Sequence, residues 1–183
     1  MSSASSPIET KVAEMRRRFD EAFAAPQECA TEALEALLAI RVGGEEHALR
    51  LRDISALTAA RRIVPVPARF PELVGITALR GDVLPVFSLS RLLGLGGNSE
   101  QVRWIVRAGE GSDAVGLGFN GLDGYFQVDA AEIFPGAGQP DRPYVSATAR
   151  QNGILRGVVD LPLLVERIRQ RAANLPGQEW RNT

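Results

Sequence analysis

The residues that most often carry catalysis or bind metals are few in this chain. His47 is the only histidine and Cys29 the only cysteine among 183 residues. A zinc site needs several nitrogen, sulfur or carboxylate ligands at short spacings, and no second histidine accompanies His47. We expect His47, which follows Glu45 and Glu46, to be a solvent-exposed residue at a hairpin turn. Cys29 lacks the basic neighbours that activate a cysteine as a nucleophile.

A glycine-rich string, Gly116-Leu-Gly-Phe-Asn-Gly121, matches the G-x-G-x-x-G pattern of dinucleotide-binding proteins. That pattern binds a pyrophosphate only where a helix begins directly after the glycines, because the first amides of the helix hold the phosphates. The following residues, 122–128, have turn and strand character and no helical period. We therefore interpret the string as strand and turn, and we expect no cofactor.

Hydroxyl and carboxylate side chains give no stronger signal for catalysis. Ser88 and Ser90 lie outside any nucleophile-elbow motif. The aspartates are spread over predicted turns and strand ends, so no pair is visibly placed for acid–base chemistry. Examples of these dispersed aspartates are Asp82, Asp123, Asp129 and Asp160. A non-enzymatic function is favoured, and a small ligand-binding barrel or enzyme is the alternative.

Composition and charge exclude several classes of partner. The formal net charge is −1, so no overall field attracts nucleic acid or an anionic membrane. Seven Phe, two Trp and two Tyr are too dispersed to stack nucleic-acid bases. No apolar run approaches the roughly 20 residues that span a bilayer. The polar N-terminus lacks a secretory pattern, so we expect a cytoplasmic protein.

The elements that position any site begin with an N-terminal helix. Ser6-Pro7-Ile8-Glu9 provides an N-cap, a proline at the first helical position and a capping glutamate. Apolar residues then recur every three or four positions, at Ile8, Val12, Met15, Phe19 and Phe23. This stripe predicts an amphipathic helix that Pro26 ends, and it packs either on the chain's own domain or on a partner. Residues 1–34 form this helix and its linker.

The remainder of the chain reads as two copies of one all-β unit. A glycine turn at 43–44 separates two predicted strands ending near Leu51, and residues 103–119 repeat this hairpin. A second unit follows each hairpin, and its residues recur 72 positions later. Gly81, Val86, Leu89 and Leu92 correspond in this way to Gly153, Val158, Leu161 and Leu164. Each unit ends in a leucine-rich helical turn, and Val165, Ile168, Ala172 and Leu175 predict one face of a C-terminal helix.

The duplication predicts an all-β core in two small barrel-like subdomains, with helices at the termini. Prolines at 65, 67, 71 and 85 argue against long central strands, because proline cannot donate a ladder hydrogen bond. Short, curved strands tolerate them. We assign residues 35–176 to this domain and residues 177–183 to a tail.

Residues 70–94 resemble the signature of the CheW family of chemotaxis coupling proteins. The most specific part is Leu79-Arg80-Gly81, followed by a strand with proline and a leucine-rich turn. Residues 43–49 also resemble the family's first hairpin, residues 115–120 one of its strands, and residues 144–155 its closing strand pair. The resemblance covers residues 35–170.

The resemblance implies two SH3-like five-stranded barrels on a common hydrophobic core, with no cofactor and no catalytic site. It implies a non-enzymatic adaptor that couples the cytoplasmic hairpin of a chemoreceptor to the regulatory domain of a CheA-type histidine kinase. Other CheW-like proteins are further candidate partners, and the protein is expected in receptor arrays, without membrane insertion. The family's partner-binding surface carries over to Ile54, Ala56, Gly75, Ala78, Leu79, Arg80 and Gly81.

This sequence departs from the family pattern at several polar positions. An acidic residue is replaced by Ala56, an asparagine by Ala78, and aspartates by Ser88 and Asn120. Polar groups at a docking surface set specificity through charge-assisted hydrogen bonds. Two hypotheses follow: a full coupling adaptor, or an accessory paralogue that binds receptor but not kinase, as in a Frz-like motility pathway.

Overall fold

The computed structural model describes residues 34–60, 62–67, 69–95, 101–136 and 142–173, except for the side chain of Ser112. The N-terminal helix predicted within 1–34, Cys29, Leu175 and the tail at 177–183 therefore lie outside the described residues, apart from Leu34 itself. Among the described helices, none has the length and apolar character needed to cross a membrane.

The described residues form two β-sheets and two helices. The strands are β1 Glu35–Val42, β2 Glu45–Arg50, β3 Ile54–Ala59, β4 Leu73–Leu79, β5 Asp82–Ser88, β6 Trp104–Ala108, β7 Val115–Phe119, β8 Gly121–Val128, β9 Ile133–Pro135, β10 Val145–Gln151 and β11 Ile154–Val159. The helices are α1 Leu89–Leu92 and α2 Leu161–Ala173. The first sheet has the order β8-β1-β2-β11-β10-β9, and the second has the order β3-β6-β7-β5-β4.

The two halves of the duplicated chain exchange their first hairpins. The β1–β2 hairpin comes from the first half, yet it pairs with β8 and β11 of the second half. The β6–β7 hairpin comes from the second half and pairs with β3 and β5 of the first. Both sheets contain one parallel pair, β2 with β11 and β5 with β7. Neither half of the sequence therefore contains a complete sheet.

A shared hydrophobic core joins the two sheets and α2. Leu38 and Ile40 of β1 belong to this core, whereas their neighbours Leu37 and Ala39 belong to a second core on the opposite face of the first sheet. Because β1 is buried on both faces, its sequence is a continuous apolar run and does not alternate. The predicted all-β fold with two subdomains on a common core is confirmed. The first sheet has six strands where five were expected, since the three-residue β9 adds to its edge.

The two helices begin alike and end differently. Ser88 caps α1 by accepting a hydrogen bond from the Arg91 amide at 3.4 Å, and Asp160, 72 residues later, accepts one from the Leu163 amide at 2.9 Å. The helix α1 stops at Gly94, whose φ of +71° allows the Leu95 amide to reach the Ser90 carbonyl.

The longer helix α2 continues past the position that corresponds to Gly94. It buries Leu161, Leu164, Val165 and Ile168, as its apolar spacing predicted for Val165 and Ile168. Ala172 was expected on the same face but is exposed.

The predicted position of His47 was wrong. Gly43 and Gly44 both have positive φ values, +62° and +79°, and they complete the turn between β1 and β2 by themselves. His47 is therefore inside β2, opposite Ile40, and only 1% of it is exposed.

The predicted second strand was also too long. Leu51–Asp53 forms a 3₁₀ turn that carries the chain from the first sheet to the second.

The environment of His47 favours the neutral imidazole. Within the described residues, neither ring nitrogen makes a hydrogen bond of normal geometry, although the Gly157 backbone is close enough to favour the charged form, and the nearest carboxylate oxygen, from Glu45, lies 3.7 Å from Nε2. Burial lowers the pKa of His47, and the negative charge of Glu45 opposes this effect only in part.

Candidate protein-docking surface

The turn between β4 and β5 carries three of the expected partner-binding residues, Leu79, Arg80 and Gly81, at the edge of the second sheet. Leu79 pairs with Asp82, which leaves Arg80 and Gly81 as the two central residues of the turn. Their φ values are +53° and +92°. Positive φ at both central positions defines a type I′ turn, whose twist matches the twist of the flanking strands. Gly81 adopts this conformation freely, whereas Arg80 is strained in it.

The duplicated half provides an internal comparison for this turn. Asn152 and Gly153, which lie 72 residues after Arg80 and Gly81, form the equivalent turn between β10 and β11 with φ values of +50° and +81°. Asparagine is the residue usually found at the first central position of such a turn, because its short polar side chain tolerates the left-handed region. Arginine at position 80 is therefore the less stable choice for the same backbone.

The guanidinium of Arg80 is available to a partner. The side chain is exposed, and no ion pair or hydrogen bond involves it among the described residues. The neighbouring carboxylate of Asp82 is bound instead by Arg107 of β6, at 3.0 Å. The turn therefore presents an uncompensated positive charge to solvent.

The β3 residues Ile54 and Ala56 lie on the far edge of the same sheet. Ile54 pairs with Ala108, and Ala56 pairs with Arg107. Arg107 lies on β6, opposite Ala56, and its guanidinium forms an ion pair with Asp82 at the β4–β5 turn. Only 8% of Ala56 is exposed, so its methyl group is part of the subdomain interior and not of an open surface.

The remaining expected residues differ in their exposure. Gly75 is buried against the preceding chain, and a Cβ there would lie 2.2 Å from the carbonyl oxygen of Val64. Gly75 therefore permits a close backbone approach, whereas Ala78 is exposed beside the turn.

Arg107 was not predicted as a site residue. Its position as the one charged residue in the apolar strand Trp104–Ala108 could have indicated a functional or structural role.

Of the departures from the family pattern, Ser88 has a structural role and Asn120 has a buried side-chain oxygen. Ser88 is the cap of α1, and its hydroxyl also hydrogen-bonds to the Ser90 hydroxyl at 2.9 Å. The Oδ1 atom of Asn120 is buried and has no hydrogen-bond partner within the described chain. Of the four replaced positions, Ala78 is thus the one that is exposed to solvent.

The glycine string has a packing function. Gly116 and Gly118 lie in β7, Gly121 begins β8, and no helix follows them. A Cβ on Gly118 would lie 2.7 Å from the nearest methyl carbon of Val102, and one on Gly121 would lie 2.8 Å from the Cβ of Arg41. Gly118 and Gly121 are therefore required by the close approach of Val102 and Arg41. In the described ranges, no three His, Cys, Asp or Glu side chains come together as a metal site.

Two interlocked sheets that expose a charged hairpin turn define a small all-β scaffold. The family model described as "CheW-like domain" matches residues 36–169, and the chain belongs to this family. CheW-like proteins are non-enzymatic scaffolds of chemotaxis signalling, which in general couple chemoreceptors to CheA kinases.

A solved structure supports the same fold. The scaffolding protein TtCheW from Thermoanaerobacter tengcongensis superposes with a TM-score of 0.64 at 19% sequence identity, over 71% of this chain and 91% of that one. No curated protein matches the sequence.

Proposed function

We propose that this protein couples the cytoplasmic hairpin of a chemoreceptor to the regulatory domain of a CheA-type histidine kinase. The β4–β5 turn, with Leu79, Arg80 and Gly81, is the part of the surface that we assign to partner contact. The observation that carries this assignment is Arg80, which holds a strained backbone conformation while its guanidinium has no partner among the described residues.

The strain at Arg80 supports a binding function because stability alone would favour another residue. A left-handed conformation costs an ordinary residue about 1–2 kcal/mol, and the equivalent turn avoids most of this cost with Asn152. The free guanidinium offers five N–H donors in a planar arrangement that suits a carboxylate. A carboxylate on the partner would therefore gain charge-assisted hydrogen bonds at this turn.

The buried departures favour a full coupling adaptor. Ala56, Ser88 and Asn120 differ from the family pattern, but each lies largely inside the fold or caps a helix. Their replacement therefore removes few polar groups from the accessible surface. Ala78 is the specific observation that favours the accessory alternative, because this exposed methyl group stands where the family has an amide.

Binding measurements with two purified fragments test the function. Calorimetry would use the full chain with the receptor's cytoplasmic hairpin and, separately, with the kinase's regulatory domain. Binding to both is expected for a coupling adaptor, and binding to the receptor alone would support the accessory paralogue. If neither fragment binds, the proposed function is wrong.

We also propose a cytoplasmic location in receptor arrays, where other CheW-like proteins are potential neighbours. Imaging of a fluorescent fusion in cells with and without the receptors tests this location.

A further inference from the structure

A short chain segment encloses the imidazole of His47. Residues 142–145, which we call the cover segment, line a cavity of about 10 Å³ together with His47, Leu93 and Leu95. A cavity of this volume holds at most one water molecule. Gly157 also adjoins the ring, because a Cβ at that position would lie only 3.2 Å from Nδ1 of His47. The imidazole is therefore enclosed without the water that its charged form needs.

Glu45 connects His47 to the cover segment. One carboxylate oxygen of Glu45, Oε2, lies 3.0 Å from Nη1 of Arg142 and 3.7 Å from Nε2 of His47. The other oxygen, Oε1, accepts a hydrogen bond of 3.3 Å from Nη2 of Arg142. Glu45 is thus bound to Arg142 while His47 is neutral, and it is the nearest carboxylate once the ring is protonated. The two cations then compete for one carboxylate.

The other groups around the ring would stabilise its charged form poorly. Of the described residues that line the cavity, Tyr144 and Arg142 are the ones with titratable or charged side chains besides His47. The apolar neighbours are Ile40, which pairs with His47 in β1, and Leu93, Leu95, Pro143 and Val145 of the lining. Burial is the largest cause that lowers the pKa of His47, and Arg142 also lowers it, whereas Glu45 and the Gly157 backbone oppose this shift. Protonation is therefore unfavourable while the ring stays enclosed.

Two backbone hydrogen bonds connect the cover segment to its surroundings. The Val145 amide donates to the Arg142 carbonyl at 3.1 Å, and the Asp160 amide donates to the Tyr144 carbonyl at 2.8 Å. Asp160 is also the residue that caps α2. Movement of the cover segment therefore breaks a hydrogen bond at the start of this helix and exposes the ring of His47. The strands β2 and β11 are joined by a sheet ladder and are harder to separate.

The duplication supplies an equivalent segment, residues 70–73, which lies 72 positions before the cover segment. The Leu73 amide donates to the Phe70 carbonyl at 3.1 Å. The Ser88 amide donates to the Glu72 carbonyl at 2.8 Å. Residue by residue, these two hydrogen bonds are the counterparts of those made by the cover segment. Both halves of the chain therefore hold this stretch of backbone in the same way.

The strand position of His47 is occupied by a valine in the other half. In the parallel ladder of the first sheet, the partner of Val158 is the residue after His47, and in the second sheet the partner of Val86 is the residue after Val115. Val158 and Val86 are 72 positions apart, so His47 and Val115 correspond. Val115 belongs to the shared core. The fold therefore accepts an apolar residue at this position, and the titratable ring occurs in one half alone.

We propose that His47 makes the cover segment a pH-sensitive switch. While the ring is neutral, Arg142 holds Glu45 and the cover segment stays closed. When the ring takes up a proton from solvent, it attracts Glu45 away from Arg142, the cover segment moves off, and water reaches the imidazolium. The closed form prevails above the ordinary imidazole pKa of about 6.5, and the open form gains as the pH falls below it. This switch goes beyond the proposed coupling function and does not depend on it.

Amide hydrogen exchange of the full chain, measured residue by residue by NMR at pH 7.5 and 5.5, tests the switch. The reporter amides, those of Asp160 and Val145, should lose about fivefold to tenfold in protection factor, because an imidazole of ordinary pKa is about 90% protonated at pH 5.5 in the open form. The Ser88 and Leu73 amides of the equivalent segment should keep their protection. Since His47 is the only histidine of the chain, its ring proton signal is unambiguous, and it should titrate with a pKa below the ordinary value.

Three variants separate the ring from the ion pair. His47→Val, which copies the corresponding residue of the other half, should remove the pH dependence at the reporter amides. Glu45→Gln should lower their protection already at pH 7.5, because the ion pair with Arg142 is lost. Glu132→Gln is the matched control, since it removes an exposed ion pair of 2.7 Å with Arg150 elsewhere, and it should change neither amide.

Three results would overturn the inference. The first is a pH dependence that persists in His47→Val, and the second is an equal loss of protection in both segments, which indicates global unfolding. The third is a ring signal that titrates at or above the ordinary pKa. Thermal unfolding checks that each variant folds, and if His47→Val does not fold, the wild-type titration and exchange profile still decide. None of these results concerns receptor or kinase binding, so failure of the switch leaves the proposed function intact.

Discussion

Replacing Arg80 by asparagine should stabilise the protein and weaken partner binding at the same time. In the type I′ turn, Arg80 has a φ of +53°, and Asn152 occupies the equivalent position with +50°. The left-handed region costs an ordinary residue about 1–2 kcal/mol, and asparagine less. No hydrogen bond or ion pair of the Arg80 side chain within the described structure is lost. We therefore expect Arg80→Asn to gain about 1 kcal/mol, or roughly 2–4 °C in Tm for a domain of this size.

The binding effect has the opposite sign. Hydrogen bonds to a charged group contribute about 1.5–3 kcal/mol, so losing the guanidinium should weaken receptor binding at least tenfold. Urea denaturation and calorimetry measure the two quantities on the same samples. Asn152→Arg is the matched control, because it should lose about the stability that Arg80→Asn gains and leave binding unchanged. Destabilisation by Arg80→Asn, or retention of full affinity, would refute the reasoning.

Three other properties can be checked on the protein. Stability should decrease as the pH falls below about 6.5, because the unfolded chain protonates His47 whereas burial lowers its pKa in the fold; urea titrations at pH 7.5 and 5.5 should show a smaller difference in His47→Leu. Gly118→Ala should cost about 1–3 kcal/mol through its clash with Val102, and adding Val102→Ala should restore part of this stability. A fragment of residues 34–95 should show no cooperative thermal unfolding by circular dichroism, since its strands lack β6, β7, β8 and β11; a cooperative transition would contradict the hairpin exchange.

Features specified by local geometry could be predicted from the sequence. The hairpin at Gly43–Gly44 was recognised because both glycines adopt positive φ, which other residues rarely do. The 72-residue repeat indicated the duplication, and the leucine-rich turn at 161–165 with the apolar spacing of Val165 and Ile168 indicated α2. The turn and the helix depend on residues that are close together in the chain, and the duplication depends on comparing two such local patterns, so these features could be predicted without knowing which strands pair.

Part of the candidate site could also be anticipated. The Leu79-Arg80-Gly81 turn was identified through its resemblance to the family signature, and it is exposed at the edge of the second sheet. The burial of Ala56 could not be anticipated, because it depends on pairing with Arg107, 51 positions away.

The sequence by itself determined the strands, the tight turns and the existence of two related halves. The tertiary structure decided which strands pair, and it exchanged the first hairpins so that β2 lies beside β11 and β7 beside β5. It also buried His47, because that residue's side of β2 faces the shared core. Hydrogen bonds between strands are nearly the same for any pair, so the choice among partners depends on how distant apolar faces pack together.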